Sequence, residues 1–130
     1  MTNNTVNVTC AIIVLKDKTL VVQRSETMKL PLKWEFPGGK VDFGETEEEC
    51  ILREIKEELN INVEIVSRLT PSPHQYPNIS IELIPFIAQF KNGSINLTEH
   101  KKYVWLKKEE LIDLDWAEAD LPILKEYLNL

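Results

Sequence analysis

The sequence predicts an α/β chain of the α+β kind, with short strands gathered around a few helices, and three observations carry that prediction. Runs of β-branched and apolar residues recur between Val6 and Leu106 with the lengths and alternation of strands. A run near the middle, residues 46 to 59, has helical spacing and a capping signature at its start. A shorter helical run closes the chain around Pro122. The length of 130 residues fits one domain, 1–130, able to bury a core without disulfides or metal clips.

Val6 to Leu15 is apolar and β-branched, "KDK" reads as a tight turn and "TLVVQR" as a second strand, so a hairpin is expected first. After a polar, Pro-containing connection from Ser25 to Lys33, "WEFPGGK" joins a short strand to a Pro-Gly-Gly break, which predicts a loop. Thr46 with Glu49 three residues later forms a capping box, and Glu47 and Glu48 suit the positive end of the helix dipole. The helix is therefore expected at about 46 to 59. "INVEIVSRLT" and "ISIELIPFIAQF" read as strands separated by the loop "PSPHQYPN", "KYVWL" as another strand and "KKEELIDL" as a short helix. In "DLPILKEYLNL", Pro122 stands near a helix start and Leu121, Leu124, Tyr127 and Leu128 share one side, which predicts a closing helix packed on the core. Repeats, low-complexity tracts and interdomain linkers are absent from the sequence.

Composition narrows the function. With 43% hydrophobic and 28% charged residues, the chain has the make-up of a globular protein rather than a disordered one. A net charge of -6 argues against polymeric nucleic acid as a partner, since that needs clustered Lys and Arg to replace phosphate counterions. Cys10 and Cys50 show no metal-ligand spacing and are too few for a disulfide scaffold, which fits a reducing cytoplasm. The start "MTNNTVNVTC" has no basic region followed by an apolar run, and no stretch approaches the roughly 20 apolar residues of a membrane span. Neither export nor a membrane is expected.

The acidity is local. Seven acids and two bases fall between Glu45 and Glu58, a sum of -5, and the remaining 116 residues carry only -1. At about 100° per residue, Ile51, Leu52, Ile55 and Leu59 form one stripe of the helix and Glu54, Glu57 and Glu58 an adjacent one. Such an edge is either a solvated face or a device for holding a cation. Like charges three and four residues apart weaken a helix, and a hard divalent ion such as Mg²⁺ or Mn²⁺ relieves that repulsion while keeping sites for water and phosphate. Arg53, four residues before Glu57, can orient it by an ion pair, and Gly38 and Gly39 let backbone approach a metal or phosphate closely.

In these residues the sequence resembles the Nudix family, whose box reads Gly, five residues, Glu, seven residues, Arg-Glu, an aliphatic residue, any residue, Glu-Glu, any residue, Gly and an aliphatic residue. Gly39, Glu45, Arg53, Glu54, Ile55, Glu57, Glu58 and Ile61 match in register, and Asn60 stands where the family has Gly. Asn is the next most tolerant residue of a left-handed helix end, so the turn should survive. The resemblance implies a Nudix fold, a mixed β-sheet sandwiched between helices, and metal-dependent hydrolysis of a nucleoside diphosphate linked to another group. It implies Glu54, Glu57 and Glu58 as Mg²⁺ ligands with a Gly38 or Gly39 carbonyl, Glu45 and Arg53 as supports of the loop and helix, and Glu54 as the candidate base.

"KWEFPGGKVDFGET" and "WAEADLPIL" are similar to the MutT-like branch, which converts nucleoside triphosphates to monophosphate and pyrophosphate. By that match Arg24 is a phosphate contact or else an exposed strand-end arginine, and Lys40 reaches the same phosphates or is plain surface. Glu99 takes the place of a loop acid that adds a metal ligand. Tyr76 stacks on a base or packs, His74 is a structural or rim residue, and Trp34 and Trp116 wall the pocket or fill the core. Asp120 reads the base edge or caps the final helix, and its protonation decides whether it can donate as well as accept.

The expected function is nucleotide-pool sanitising, with an oxidised guanine deoxynucleotide such as 8-oxo-dGTP first and CTP, dCTP or 5-substituted cytidine nucleotides as the rival. "PSPHQYP" also resembles residues used by ADP-ribose and dinucleoside polyphosphate hydrolases. A non-enzymatic Nudix nucleotide sensor is the remaining alternative, although such modules usually lose box carboxylates. The expected partner is a nucleoside triphosphate, and the protein a monomer or homodimer.

Overall fold

A computed structural model of the chain describes residues 5–130. Residues 1–4, on which the expectation of no leader partly rests, lie outside the described residues. Strands β1 (Thr5–Leu15) and β2 (Lys18–Gln23) form the expected hairpin, registered Ile13 to Leu20, with Lys16 at φ 58° turning the corner. Cys10 to Ile13 are buried on both sides of the sheet, which is why this segment is apolar without alternation. Strand β3 (Trp34–Glu35) adds to β2, and β4 (Gly38–Lys40) pairs with β1. The expected break falls at Phe36 and Pro37, while the two glycines that follow belong to a short strand rather than a loop. Its glycines are needed because the two backbones approach closely: a Cβ on Gly38 would stand 2.0 Å from the Thr9 carbonyl oxygen.

Helix α1 (Glu47–Leu59) starts at the Thr46 capping box and ends at Asn60, which adopts the left-handed conformation at φ 59° and ψ 35°. Strands β5 (Asn62–Arg68), β6 (Ser72–Tyr76) and β7 (Ile79–Asn92) follow. The stretch expected as the loop "PSPHQYPN" is largely β6, paired with β7 around the turn at Pro77 and Asn78. Pro73 is tolerated because β6 pairs with β7 alone, at a sheet edge. Strand β8 (Lys102–Lys107) pairs with β2, helix α2 (Lys108–Leu111) is a single turn, and a 3-10 turn at Glu118–Asp120 leads into helix α3 (Leu121–Leu128).

The eight strands form one mixed sheet, parallel only between β1 and β7. Ala11, Ile13, Leu20, Val22, Ile84, Phe86 and Ala88 face α1 through Ile51, Ile55 and Leu59. Cys10, Ile12, Val21 and Leu83 face the opposite way, toward Leu111, Ile123, Leu124 and Tyr127 of α2 and α3. The sheet is therefore sandwiched between helices, as the resemblance implies.

Two stripe assignments need correcting. Leu52 is 43% exposed, and Cys50 completes the docked face instead. Leu121 is also exposed while Ile123 is buried, because α3 docks through Ile123, Leu124 and Tyr127, and at about 100° per residue Leu121 points away from Ile123. One edge of β1 is shared by β2 at Ile13 to Leu15 and β4 at Val8 to Cys10, and at this splay a cavity opens.

Candidate active site

The helix edge is organised by Arg53. Its Nε and Nη2 donate to the two oxygens of Glu45 at 3.0 and 2.7 Å, and its Nη1 donates to Glu54 at 3.1 Å and Glu57 at 2.9 Å. Nη2 also meets the Lys40 carbonyl at 3.2 Å and Asp42 at 3.3 Å. A planar guanidinium offers five donors, so one residue ties the loop before α1 to the carboxylates on it. This hydrogen bonding holds the Glu45 carboxyl down at about 2, and the surrounding carboxylates raise the guanidinium in turn.

The three helix carboxylates lie at different depths. Taking Ile51 as the centre of the docked face, Glu58 is about 20° away, Glu54 about 60° and Glu57 about 120° at helical spacing. Glu58 accordingly turns inward, accepting from the Gly38 N–H at 3.3 Å, and is pushed up to about 8 by burial and then by the charges of Glu54, Glu35 and Glu99. Glu54 is raised by burial, with Arg53 opposing, while Glu57 stays exposed. Among the described residues, no three acidic, His or Cys side chains converge into a ready cage for a metal.

The donor set nevertheless fits a hard cation. A Cβ on Gly39 would lie 2.2 Å from Glu54 Cδ, so the backbone and this carboxylate already touch, and three repelling carboxylates share the edge. A cation beside Glu58 favours its ionised form by the same electrostatics that now disfavour it. Glu54, Glu57 and Glu58 could hold such an ion. The Gly39 carbonyl already accepts from Thr9 Oγ1 at 3.1 Å. Glu99 is exposed on a loop tied to the helix by the Thr98 N–H to Glu58 carbonyl bond of 3.3 Å.

The cavity at the sheet splay has a volume of about 450 Å³. Gly38, Gly39, Lys40 and Glu58 line it together with Arg24, Glu35, Tyr76 and Asp120. Asp120 is 5% exposed and makes no cap bond; its Oδ2 accepts from the Phe36 N–H at 2.9 Å. The capping alternative is therefore excluded, since the 3-10 turn already satisfies the helix start. Burial and the charge of Glu35 push Asp120 well above the carboxylate range. The half-buried Tyr76 accepts from the Ala119 N–H at 3.1 Å through its hydroxyl and stands edge-on to His74. Arg24 is no free strand-end residue: its Nη1 pairs with Glu35 at 3.0 Å. Lys40 is exposed at the rim, and Trp34 and Trp116 are core residues, Trp116 donating to the Leu111 carbonyl at 2.7 Å.

Sequence reasoning missed one wall residue, Glu35, and the buried His100 behind it. Glu35 reads there as an ordinary strand residue, and His100 gives no periodic signal; only the fold brings them together, at 2.8 Å.

Comparisons with known proteins agree with this geometry. The NUDIX domain family matches residues 4–127. The chain is 30% identical over 125 residues to the CTP pyrophosphohydrolase of Escherichia coli K12, covering 96% of this chain and 93% of that one. It is 33% identical over 105 residues to the putative 8-oxo-dGTP diphosphatase 2 of Mycobacterium tuberculosis H37Rv, covering 78% and 72%. A solved structure of the DNA mismatch repair protein MutT (family Nudix hydrolase) from methicillin-resistant Staphylococcus aureus 252 superposes with a TM-score of 0.80 at 38% identity over 98% of both chains. A box matched in register on α1, a mixed sheet between helices and these relatives lead to one conclusion: the chain belongs to the NUDIX family and is a hydrolase.

Proposed function

We propose that the protein is a Mg²⁺-dependent nucleoside triphosphate pyrophosphohydrolase that releases a nucleoside monophosphate and pyrophosphate, with 8-oxo-dGTP or a related oxidised purine nucleotide as its substrate. The observation that carries this reading is the continuity of the cavity: one wall holds Gly38, Gly39 and Glu58, and another holds Asp120 and Tyr76. A base bound at Asp120 thereby directs its phosphates toward the acidic edge of α1.

In this reading Glu54, Glu57 and Glu58 hold the cation, with Glu99 and a Gly38 or Gly39 carbonyl as further ligands. When bound, Mg²⁺ polarises a phosphoryl oxygen and neutralises charge on the leaving pyrophosphate. Glu54 takes a proton from the attacking water, and Arg53 and Glu45 hold Glu54 and Glu57 in place. Arg24 and Lys40 contact phosphate. Tyr76 supplies an aromatic face to the base. Asp120, with one oxygen engaged by Phe36 N–H and its neutral form favoured by burial, both donates and accepts, which matches the adjacent N7–H and O6 of an oxidised guanine.

A cytosine edge offers a similar donor beside an acceptor, and the CTP pyrophosphohydrolase relative aligns over 96% of the chain. Hydrolysis of CTP, dCTP or 5-substituted cytidine nucleotides is therefore the second reading.

Product analysis of the wild type and Glu57→Gln with Mg²⁺ and 8-oxo-dGTP, dGTP, CTP, 5-methyl-dCTP, dATP or ADP-ribose tests both. Pyrophosphate and a monophosphate are expected, with turnover reduced about a hundredfold or more in the variant. A kcat/KM for cytidine nucleotides about tenfold above that for 8-oxo-dGTP replaces the first reading with the second. AMP release from ADP-ribose at a comparable rate defeats both.

A further inference from the structure

The Glu35 carboxylate is shared by two donors, Arg24 Nη1 at 3.0 Å on one oxygen and His100 Nε2 at 2.8 Å on the other. A ring nitrogen facing a carboxylate oxygen at that distance carries the hydrogen, which fixes Nε2 as the N–H. The His100 side chain is only 2% exposed, and its buried Nδ1 has no partner among the described residues. Burying an unsatisfied ring nitrogen is unfavourable, so the bond to Glu35 is the feature that accounts for the placement. His100 itself does not line the cavity.

Arg24 passes the constraint outward. Its Nε donates to the Lys29 carbonyl, its backbone N–H donates to the Lys33 carbonyl at 2.9 Å, and its own carbonyl accepts from the Leu32 N–H at 3.1 Å. The segment so tied contains Leu30 at φ 52° and Leu32 at φ 65°, a left-handed conformation unfavourable for leucine that persists only where its surroundings impose it. Met28, Lys29 and Leu30 of this segment line the cavity beside Arg24 and Glu35.

We infer that His100 is a positioning residue for the nucleoside end of the cavity: it fixes Glu35, Glu35 fixes Arg24, and Arg24 holds the strained wall at residues 28–30. The inference rests on the reading of this cavity as a nucleoside triphosphate site. Loss of the His100 bond leaves one oxygen of the half-buried Glu35 without its protein donor and frees Arg24 and the wall together.

Three variants test it. His100→Gln carries an amide nitrogen near the place of Nε2, His100→Asn carries one near Nδ1, and His100→Ala carries neither. With the best nucleoside triphosphate of the wild type, Ala and Asn should raise KM about tenfold while kcat changes less than about twofold, and Gln should restore KM. A second readout needs no nucleotide. Hydrogen exchange at the Arg24 and Leu32 amides should quicken about tenfold in the Ala and Asn variants but not in Gln, with β7 amides unchanged. Unchanged KM and exchange, a Gln variant that behaves like Ala, or exchange that rises throughout the sheet overturns the inference, the last marking general loosening. Should Ala fail to fold, Gln against Asn decides. Should the wild type hydrolyse no nucleoside triphosphate, the functional reading fails, and the exchange rates decide the role of His100 separately.

Discussion

Arg53 shows how one side chain can settle a site's electrostatics. Its guanidinium answers Glu45, Glu54 and Glu57 at once, so removing one acid changes the balance felt by the others. The Glu45 carboxyl is held at about 2 against an ordinary value of 4.5. A depressed folded value means that this group stabilises the fold above the unfolded value and loses that contribution as the pH falls toward 2. Glu45→Gln should therefore lower Tm at pH 6, and its deficit should shrink steadily when melting curves are repeated from pH 4.5 down to pH 3. A deficit independent of pH would show that Glu45 acts through packing rather than charge. Cys50 is inert by contrast: burial pushes its thiol up to about 11, and it lies against Thr9 and the Lys40 carbonyl.

Strand β4 and helix α1 form the junction on which the proposed chemistry depends, and the two adjacent glycines of β4 serve it differently. A methyl on Gly38 meets the Thr9 carbonyl oxygen at 2.0 Å, which is backbone and cannot yield. A methyl on Gly39 meets the Glu54 carboxylate at 2.2 to 2.5 Å, the far end of a flexible side chain. Gly38→Ala should thus cost about 1–3 kcal/mol or more in urea unfolding. Gly39→Ala should unfold nearly as the wild type yet lose about tenfold or more in kcat, because Glu54 is displaced. Equal stability losses in both variants would contradict this division.

Across the whole molecule the two faces of the sheet are inseparable, because β1 sends Ile12 to one core and Ala11 and Ile13 to the other. Ile55→Ala beneath α1 and Ile123→Ala beneath α3 should each cost about 2–5 kcal/mol. In each case tryptophan fluorescence and circular dichroism should report one coincident transition. Separate transitions would mean that the faces unfold independently. Among the described residues no helix is long and apolar enough to cross a membrane.

Much of this was legible in the chain. The capping box, the left-handed Asn60 and the register of Gly39, Glu45, Arg53, Glu54, Glu57 and Glu58 are short-range features written in consecutive residues, and local spacing expresses them directly. The β1–β2 hairpin is local in the same sense. Strand β6 was not legible, since Pro73 and polar neighbours hide an edge strand whose hydrogen bonds come from β7. Neither was the exposure of Leu52 and Leu121, which a helical wheel cannot tell from burial without knowing where the sheet lies. The fate of Asp120 needed the backbone of Phe36, 84 residues away, and the Arg24, Glu35 and His100 relay spans three separate segments. Local pattern determines the first hairpin, helix α1 and the element that carries the acids; the edge strand β6 and the burial that raises Glu58 and Asp120 follow from contacts between distant segments that arise only when the sheet closes around its core.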